Sequence, residues 1–344
     1  MGLLSIPILM LALALLLAGF AAWVFWPRGG LYARWQRRRR GNLRVLQEDA
    51  LKHIHGCQMA GRPLTLEGLA GSLLCSTGQA ARILGELESR GLVAHSDKGY
   101  QLTVRGRESA LHIVRAHRLW ERYLAEETGY HEIEWHERAD QREHHLSKDQ
   151  LQVLSARLGH PTHDPHGDPI PTAEGDWSEP QGIPLAQADP EANYRIVHIE
   201  DEPETIYAQL LAEGVHLGQV LRVMERSPRR IRFWSEGKEH ALAPLLAENL
   251  TVRRMRDQQV IRREHEERLS HLNVGEMAKV VALSPACRGP ERRRLLDLGL
   301  VSGTEIKAEL VSPSGDPKAY RIRGAVIALR QEQADQVRVI RDGS

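Results

Sequence analysis

Two sets of imidazoles and carboxylates recur in this chain at helical spacing. In His136-Glu-Arg-Ala-Asp140-Gln-Arg-Glu143-His144, four such groups stand at i, i+4, i+7 and i+8. A helix of 3.6 residues per turn gathers those positions on one face. Upstream, His117 and Glu121 repeat the i, i+4 step. Imidazole and carboxylate converging from one face can hold a divalent cation, imidazole suiting Fe, Ni and Zn and carboxylate suiting harder ions such as Mn. The chain has 17 histidines in 344 residues, so chance spacing is a real competitor. The same pattern also suits a solvated helix whose His and Glu pair with neighbouring Arg, and spacing alone leaves both readings open. No nucleophile with a partnered base and no phosphate-cradling glycine loop accompanies these residues, so the chain reads as a non-enzyme.

These groups need helices to carry them. Thr103 opens a long helix with Leu111, Val114, Leu119 and Leu124 as its apolar positions, stopped by Gly129; it bears His117 and Glu121. A second helix bears 136–144. A third starts at Ser147 as N-cap, uses Leu151, Leu154 and Leu158, and ends at Gly159-His-Pro161. Ahead of them, Leu43, Leu46, Ala50, Leu51 and Ile54 follow helical spacing, Thr65 caps a helix with Leu66, Leu69 and Leu73, and Ser76 opens another. Gln79 three residues on predicts a capping box, Gly91 a stop, and Asp97-Lys98-Gly99 a hairpin turn. Three helices and a hairpin make a winged helix-turn-helix; the same elements also build a small domain that contacts only protein. On the third helix, about 77–90, Ala80, Ile83, Leu84 and Leu87 point inward, leaving Gln79, Arg82, Glu86 and Arg90 outside. Gln can bond adenine and Arg guanine in the major groove. Gln79 and Arg82 are therefore the candidate base readers, with Ser76 for a phosphate. Glu86 opposes phosphate, and Gly85 weakens the helix by about 1 kcal/mol relative to Ala.

Net charge is +1, so overall balance says nothing about partners, but its distribution does. Residues 3–26 carry no charge, and no acid precedes Glu48. Arg28, Arg34, Arg37, Arg38, Arg39, Arg40 and Arg44 crowd the segment immediately C-terminal to that run. About 20 apolar residues suffice to span a bilayer. This predicts a single-pass helix in the cytoplasmic (inner) membrane with the later domains in the cytoplasm, a cleaved signal peptide being the competing reading. The run Arg37–Arg40 suits phosphates of either DNA or lipid, and in that arrangement lipid is the nearer. Cys57, Cys75 and Cys287 are scattered and imply neither disulfides nor a zinc ribbon. Residues 160–190 read as a Pro-, Gly-, Asp- and His-rich linker, so His160, His163 and His166 read as solvated, metal ligation being the competing reading. Strand-like runs come next at 220–223, 231–234 and 250–252, then a charged, helical connector at 253–268.

His117-Arg-Leu-Trp-Glu121-Arg, the run from His136 to His144, and Asp164-Pro-His-Gly-Asp-Pro-Ile-Pro171 together resemble the diphtheria-toxin-repressor family, metal-dependent transcriptional regulators of iron and manganese. Leu272-Asn-Val-Gly275, Arg293-Arg-Leu-Leu-Asp-Leu-Gly-Leu300, Ser302-Gly-Thr304, Gly315-Asp-Pro317 and Arg321-Ile-Arg-Gly-Ala-Val-Ile-Ala-Leu-Arg330 resemble the FeoA family, whose domains accompany ferrous-iron transport. Gly214-Val-His-Leu-Gly218 echoes Gly299-Leu-Val-Ser-Gly303, so residues 180–255 look like a degenerate copy of that module.

The resemblance implies a multidomain α+β chain. Its parts are a membrane helix and basic segment (1–40), a winged helix-turn-helix (41–106), a dimerisation and metal-binding domain (107–175), a degenerate SH3-like barrel (176–256) and a FeoA barrel (257–344). It also implies a primary site of Asp49, Asp140, Glu143 and His144. A second site would take His117, Glu121 and His136, with one oxygen from elsewhere, Glu200 or Asp201 lying nearest. Iron-sensing relatives often place sulfur at the position of Asp140, so this oxygen-rich set suits Fe(II) or Mn(II). Metal would join Asp49 to the dimerisation helices and select the conformation of a homodimer that binds a palindromic operator. The alternative is a metal-sensing partner of a membrane ferrous-iron transporter that no longer reads DNA.

Overall fold

The computed structural model describes residues 43–96, 99–176, 181–256 and 266–341, together with Met10 and Leu16. The chain divides into two compact units, residues 1–113 and 114–344.

In the first unit, α1 (Leu43–Met59), α2 (Leu66–Ser72) and α3 (Thr77–Ser89) precede the antiparallel strands β1 (Val93–Ser96) and β2 (Gly99–Leu102). Leu46, Ala50, Leu51 and Ile54 of α1 meet Leu69, Leu73, Ala80, Ile83, Leu84 and Leu87 in one buried cluster. The 3.6-residue period of those apolar positions is what lets three short helices share a core. Thr65 caps α2 by accepting from Gly68 N, and Ser76 caps α3 by accepting from Gln79 N. The strand register pairs Val93 with Leu102 and Ser96 with Gly99; the expected turn residues Asp97 and Lys98 lie outside the described residues. Thr103 ties the end of the hairpin back, donating to Gly91 O and accepting from Gly106 N. The helix α4 (Val104–Glu127) begins there and runs across the division of the chain.

The second unit continues with the rest of α4, then α5 (Ile133–Glu143) and α6 (Lys148–Arg157). Ser147 and Gln150 form a reciprocal capping box at α6. Two six-stranded sheets come after them among the described residues. The first contains β3 (Ile183–Pro184), β4 (Asn193–Ile199), β5 (Val220–Arg226), β6 (Ile231–Ser235), β7 (Lys238–Leu242) and β8 (Leu250–Arg254). Helices α7 (Glu204–Ala212) and α8 (Pro244–Glu248) interrupt it. The second contains β9 (Glu267–Arg268), β10 (Met277–Leu283), β11 (Glu305–Val311), β12 (Lys318–Ile322), β13 (Ala325–Leu329) and β14 (Val337–Arg341), interrupted by α9 (Gly289–Asp297) and α10 (Gln331–Asp335). Strand order is β3-β8-β4-β5-β6-β7 in one and β9-β14-β10-β11-β12-β13 in the other, the same path walked twice. Even the register shifts correspond: Ile196/His198 with Val280/Ala282, and Val223/Glu225 with Ala308/Leu310. Each sheet closes over its own apolar cluster, Tyr194, Leu221 and Phe233 in one, Val280, Ile306 and Tyr320 in the other.

Two expectations are corrected. The single-pass inner-membrane arrangement is not supported: among the described residues no helix is long and apolar enough to cross a membrane. The 24-residue α4 has the length, yet it carries Arg105, Arg107, Glu108, Arg115, Arg118, Glu121 and Arg122. Each charge at a bilayer's centre costs about 2.5–3.5 kcal/mol on insertion scales. The uncharged run 3–26 and the arginines after it lie outside the described residues, apart from Met10, Leu16 and Arg44. The expected helical connector at 253–268 is strand at both ends, since Arg253 and Arg254 belong to β8 and Glu267 and Arg268 to β9. Residues 257–265 lie outside the described residues.

Candidate metal centre

On α4, one face turns His117 and Glu121 inward, both almost fully buried. On α5, Trp135 and Ala139 anchor the helix at i, i+4 in the interior, with 2% and 0% exposure. That anchoring brings His136, Asp140 and Glu143 round to meet α4. His117 stands at the junction. Its Nδ1 lies 2.6 Å from Glu143 Oε2 and 3.2 Å from Asp140 Oδ1, and its Nε2 lies 3.1 Å from Glu121 Oε1. His136 Nδ1 is 3.5 Å from Glu121 Oε1, and its Nε2 is 3.6 Å from Asp140 Oδ2. His144 is the C-cap residue of α5, with Nε2 3.6 Å from Glu143 Oε1.

The other side of the centre comes from two loops. Asp164 Oδ1 accepts from the backbone N–H of His166, Gly167 and Asp168, each at 2.9 Å, which folds the loop tightly around one carboxylate. Arg118 of α4 fastens that loop, donating to Pro169 O at 2.6 Å and to Asp168 Oδ1 at 3.0 Å. Gly167 has φ +99°, and a Cβ there would sit 2.2 Å from Val197 O of β4. Only glycine lets the loop press so close to the sheet. Pressed there, His166 is 2% exposed, and its Nδ1 lies 3.7 Å from Glu121 Oε2 and 3.6 Å from Asp201 Oδ2. Asp201, just beyond β4, reaches His136 Nδ1 at 2.8 Å, while Glu202 reaches His136 Nε2 at 3.2 Å.

So many carboxylates in one place set the electrostatics. Burial alone would lower the His136 imidazole, but hydrogen bonds to Asp201, Glu121 and Glu202 outweigh it and hold it far above its ordinary range. Burial likewise opposes protonation of His166, yet Glu121 and Asp201 push it up to about 9. Burial would raise Glu121, while the facing His117 and His166 hold it well below the usual carboxylate range. The centre is thus a sink for positive charge. Burying an ion costs several kcal/mol unless it is matched. Both ring nitrogens of His166 are nevertheless buried without a hydrogen-bond partner. Those orphaned donors and the spacing of the set fit a divalent cation. Bonds of about 2.0–2.2 Å to O and N ligands put adjacent ligands about 3 Å apart. Two groups are close enough to share one ion, His117 with His136 and Asp140, and Glu121 with His136 and Asp201; Glu121 with Asp164 and His166 makes a third.

Of the residues singled out in the sequence, His117, Glu121, His136, Asp140 and Glu143 come together, with His144 beside them. Asp49 lies half-buried on α1 in the first unit. Of Glu200 and Asp201, it is Asp201 that faces His136, whereas Glu200 is exposed. The solvated reading holds for His160 and His163, which are exposed, and is corrected for His166. Asp164, His166 and Glu202 join the centre although helical spacing does not point to them. The signal in the sequence was Gly167 after a Pro-fenced Asp-x-His, a pattern suited to a loop held against other structure. On α3, Ser76 and Arg82 are exposed and Gln79 is half-buried. Glu86 is held by Gln47 Nε2 at 2.7 Å, which directs its charge toward α1.

Residues 103–172 match the family described as iron dependent repressor, metal binding and dimerisation domain, and residues 267–341 match the FeoA domain. The chain is 40% identical over 82 residues to a probable metal transport system membrane protein of Chlamydia trachomatis, covering 24% of this chain and 18% of that one. It is 36% identical over 92 residues to the iron-dependent repressor IdeR of Mycobacterium tuberculosis, covering 26% of this chain and 40% of the relative. The chain thus spans less than half the length of these curated relatives. A solved manganese-dependent transcriptional repressor in complex with manganese superposes with a TM-score of 0.57 at 31% identity, over 60% of this chain and 99% of that one. With the ligand geometry of α4 and α5 and a repressor matched almost end to end, the chain belongs to the diphtheria-toxin-repressor family of metal-dependent transcriptional regulators.

Proposed function

We propose that the chain is a DNA-binding transcriptional regulator of metal homeostasis, switched by Fe(II) or Mn(II) and acting as a homodimer on a palindromic operator. The observation that carries this reading is the convergence of His117, Glu121, His136, Asp140 and Glu143 from two helices, with both buried ring nitrogens of His166 left without hydrogen bonds. Asp49, Asp140, Glu143 and His144 are assigned to one ion by their order in the sequence. His117, Glu121 and His136 are assigned to a second, with Asp201, Asp164 and His166 in support. A bound ion would replace the protons on His136 and His166 as the positive charge that these carboxylates face. Arg118 orients the Asp164–Asp168 loop, and the buried Trp135 ring lies 6.1 Å from that of His166. Sulfur is absent from this donor set, which favours the harder Mn(II) and Fe(II) over Cu(I).

In this reading Arg82 and Gln79 read bases and Ser76 meets a phosphate. The test is selection of DNA from a random pool by the full chain, with and without Mn(II) or Fe(II). A palindromic sequence should be enriched only with metal, and Arg82→Ala should relax specificity more than overall binding, since a bidentate base contact is worth about 1–3 kcal/mol of discrimination. The FeoA match at 267–341 favours a second reading, a metal-sensing partner of a ferrous-iron transporter. Enrichment of no sequence with either ion would select it.

A further inference from the structure

The second sheet domain sends one side chain toward the metal centre. Arg288, the N-cap residue of α9, is largely enclosed, with 19% of its side chain exposed. Its guanidinium lies 5.2 Å from the centroid of the Trp135 ring, the residue before His136. It donates to Pro165 O at 3.4 and 3.5 Å, the residue before His166. It also faces Glu132 Oε1 at 3.7 Å, at the start of α5. The other oxygen of Glu132 accepts from Tyr207 OH at 3.3 Å, and the Tyr207 ring packs edge-on against His166 at 5.1 Å. One cation thus touches the helix that carries His136, the loop that carries His166 and the carboxylate that joins both to the first sheet domain. The approach is close. Gly289 has φ +56°, and a Cβ there would lie 2.7 Å from Thr128 O, just beyond the end of α4.

We infer that Arg288 is a positioning residue for the metal centre, through which docking of the FeoA-type domain and occupancy of the two groups that share Glu121, one holding His136 and Asp201 and the other Asp164 and His166, are linked; this rests on the metal-binding reading above. Arginine suits the task because its planar group can stack on an indole and donate to oxygens at its edge at the same time. Neither His136 nor His166 is touched by Arg288 directly, so its action runs through Trp135, Glu132 and the Pro165 carbonyl. Linkage is reciprocal: if docking sets the ligand geometry, metal must in turn tighten docking by the same factor. The FeoA-type domain would then be a reporter of metal occupancy within the same chain.

The experiment uses the full chain, titrated with Mn(II) by calorimetry and followed by amide hydrogen exchange over residues 289–297. In the wild type, Mn(II) should slow exchange in α9. Arg288→Ala should weaken Mn(II) binding about 10-fold or more, as loss of outer partners of metal ligands commonly does, and exchange in α9 should no longer respond to metal. Arg288→Lys should restore part of both, keeping the charge without the planar stack. Glu132→Gln carries the same expectation should Arg288→Ala fail to fold. Equal Mn(II) affinity and equal metal-induced protection in the variants overturn this inference and leave the metal site standing. A wild-type chain that binds no Mn(II) overturns both.

Discussion

Glu121 and His166 decide more about this molecule than their neighbours do. Each is buried, Glu121 Oε2 faces His166 Nδ1 across 3.7 Å, and neither ring nitrogen of His166 has a hydrogen bond. A buried polar group left unpaired costs about 1–3 kcal/mol, more when charged, so an imidazole that keeps both ring nitrogens unpaired has to be stabilised by something else that binds it. Glu121→Gln is therefore expected to lower Mn(II) affinity by at least about 100-fold, the upper range for lost outer partners being the floor for a ligand; calorimetric titration measures it. Two of the three linker histidines give a sharper contrast. His166→Ala should weaken Mn(II) binding strongly and His163→Ala should leave it unchanged, because the His163 side chain is exposed and meets the Thr162 hydroxyl rather than the centre. Equal effects of the two substitutions would remove the loop from the centre.

Helices and loops explain why part of the centre could be read in the sequence and part could not. His117 with Glu121, and His136 with Asp140 and Glu143, are local: one helical period fixes which of them share a face. Caps are local too, and Thr65, Ser76 and Ser147 all start helices where their hydroxyls suggested. Ser147→Ala should cost about 0.5–2 kcal/mol through loss of the α6 cap, read as a shift in the denaturation midpoint. His166 is different, because its burial depends on β4, more than twenty residues on, and on Gly167 admitting the close approach. Composition around it reads as solvated loop, and no periodicity signals otherwise. Gly167→Ala should destabilise the loop by at least about 1–3 kcal/mol from the left-handed backbone alone, with contact to Val197 O adding to that. Reduced Mn(II) affinity in the folded Gly167→Ala variant would connect the turn to the site; unchanged affinity would separate them. The connector at 253–268 failed for the opposite reason, since its charge pattern suits an exposed helix while sheet pairing with β4 and β14 holds its ends extended.

At the scale of the whole chain, one strand path is used twice, and sequence alone offered only a faint glycine echo of it at Gly214–Gly218 and Gly299–Gly303. Shared strand order and matching register shifts state the repetition far more plainly, because backbone pairing persists where side chains have diverged. The two copies differ in what they give the centre. The first supplies Asp201 and Glu202, and the second supplies Arg288, which reaches the same region only through other residues. In the proposed reading, regulation, operator binding and coupling to the second sheet domain all depend on α4 and α5 holding a divalent ion between them. The most direct measurement is Mn(II) titration of the full chain beside a His117→Ala, Glu143→Ala double variant whose fold is checked by circular dichroism. Tight binding by the wild type and its loss in the folded double variant is the expected result. Unchanged affinity in that variant would contradict a metal centre built on these two helices.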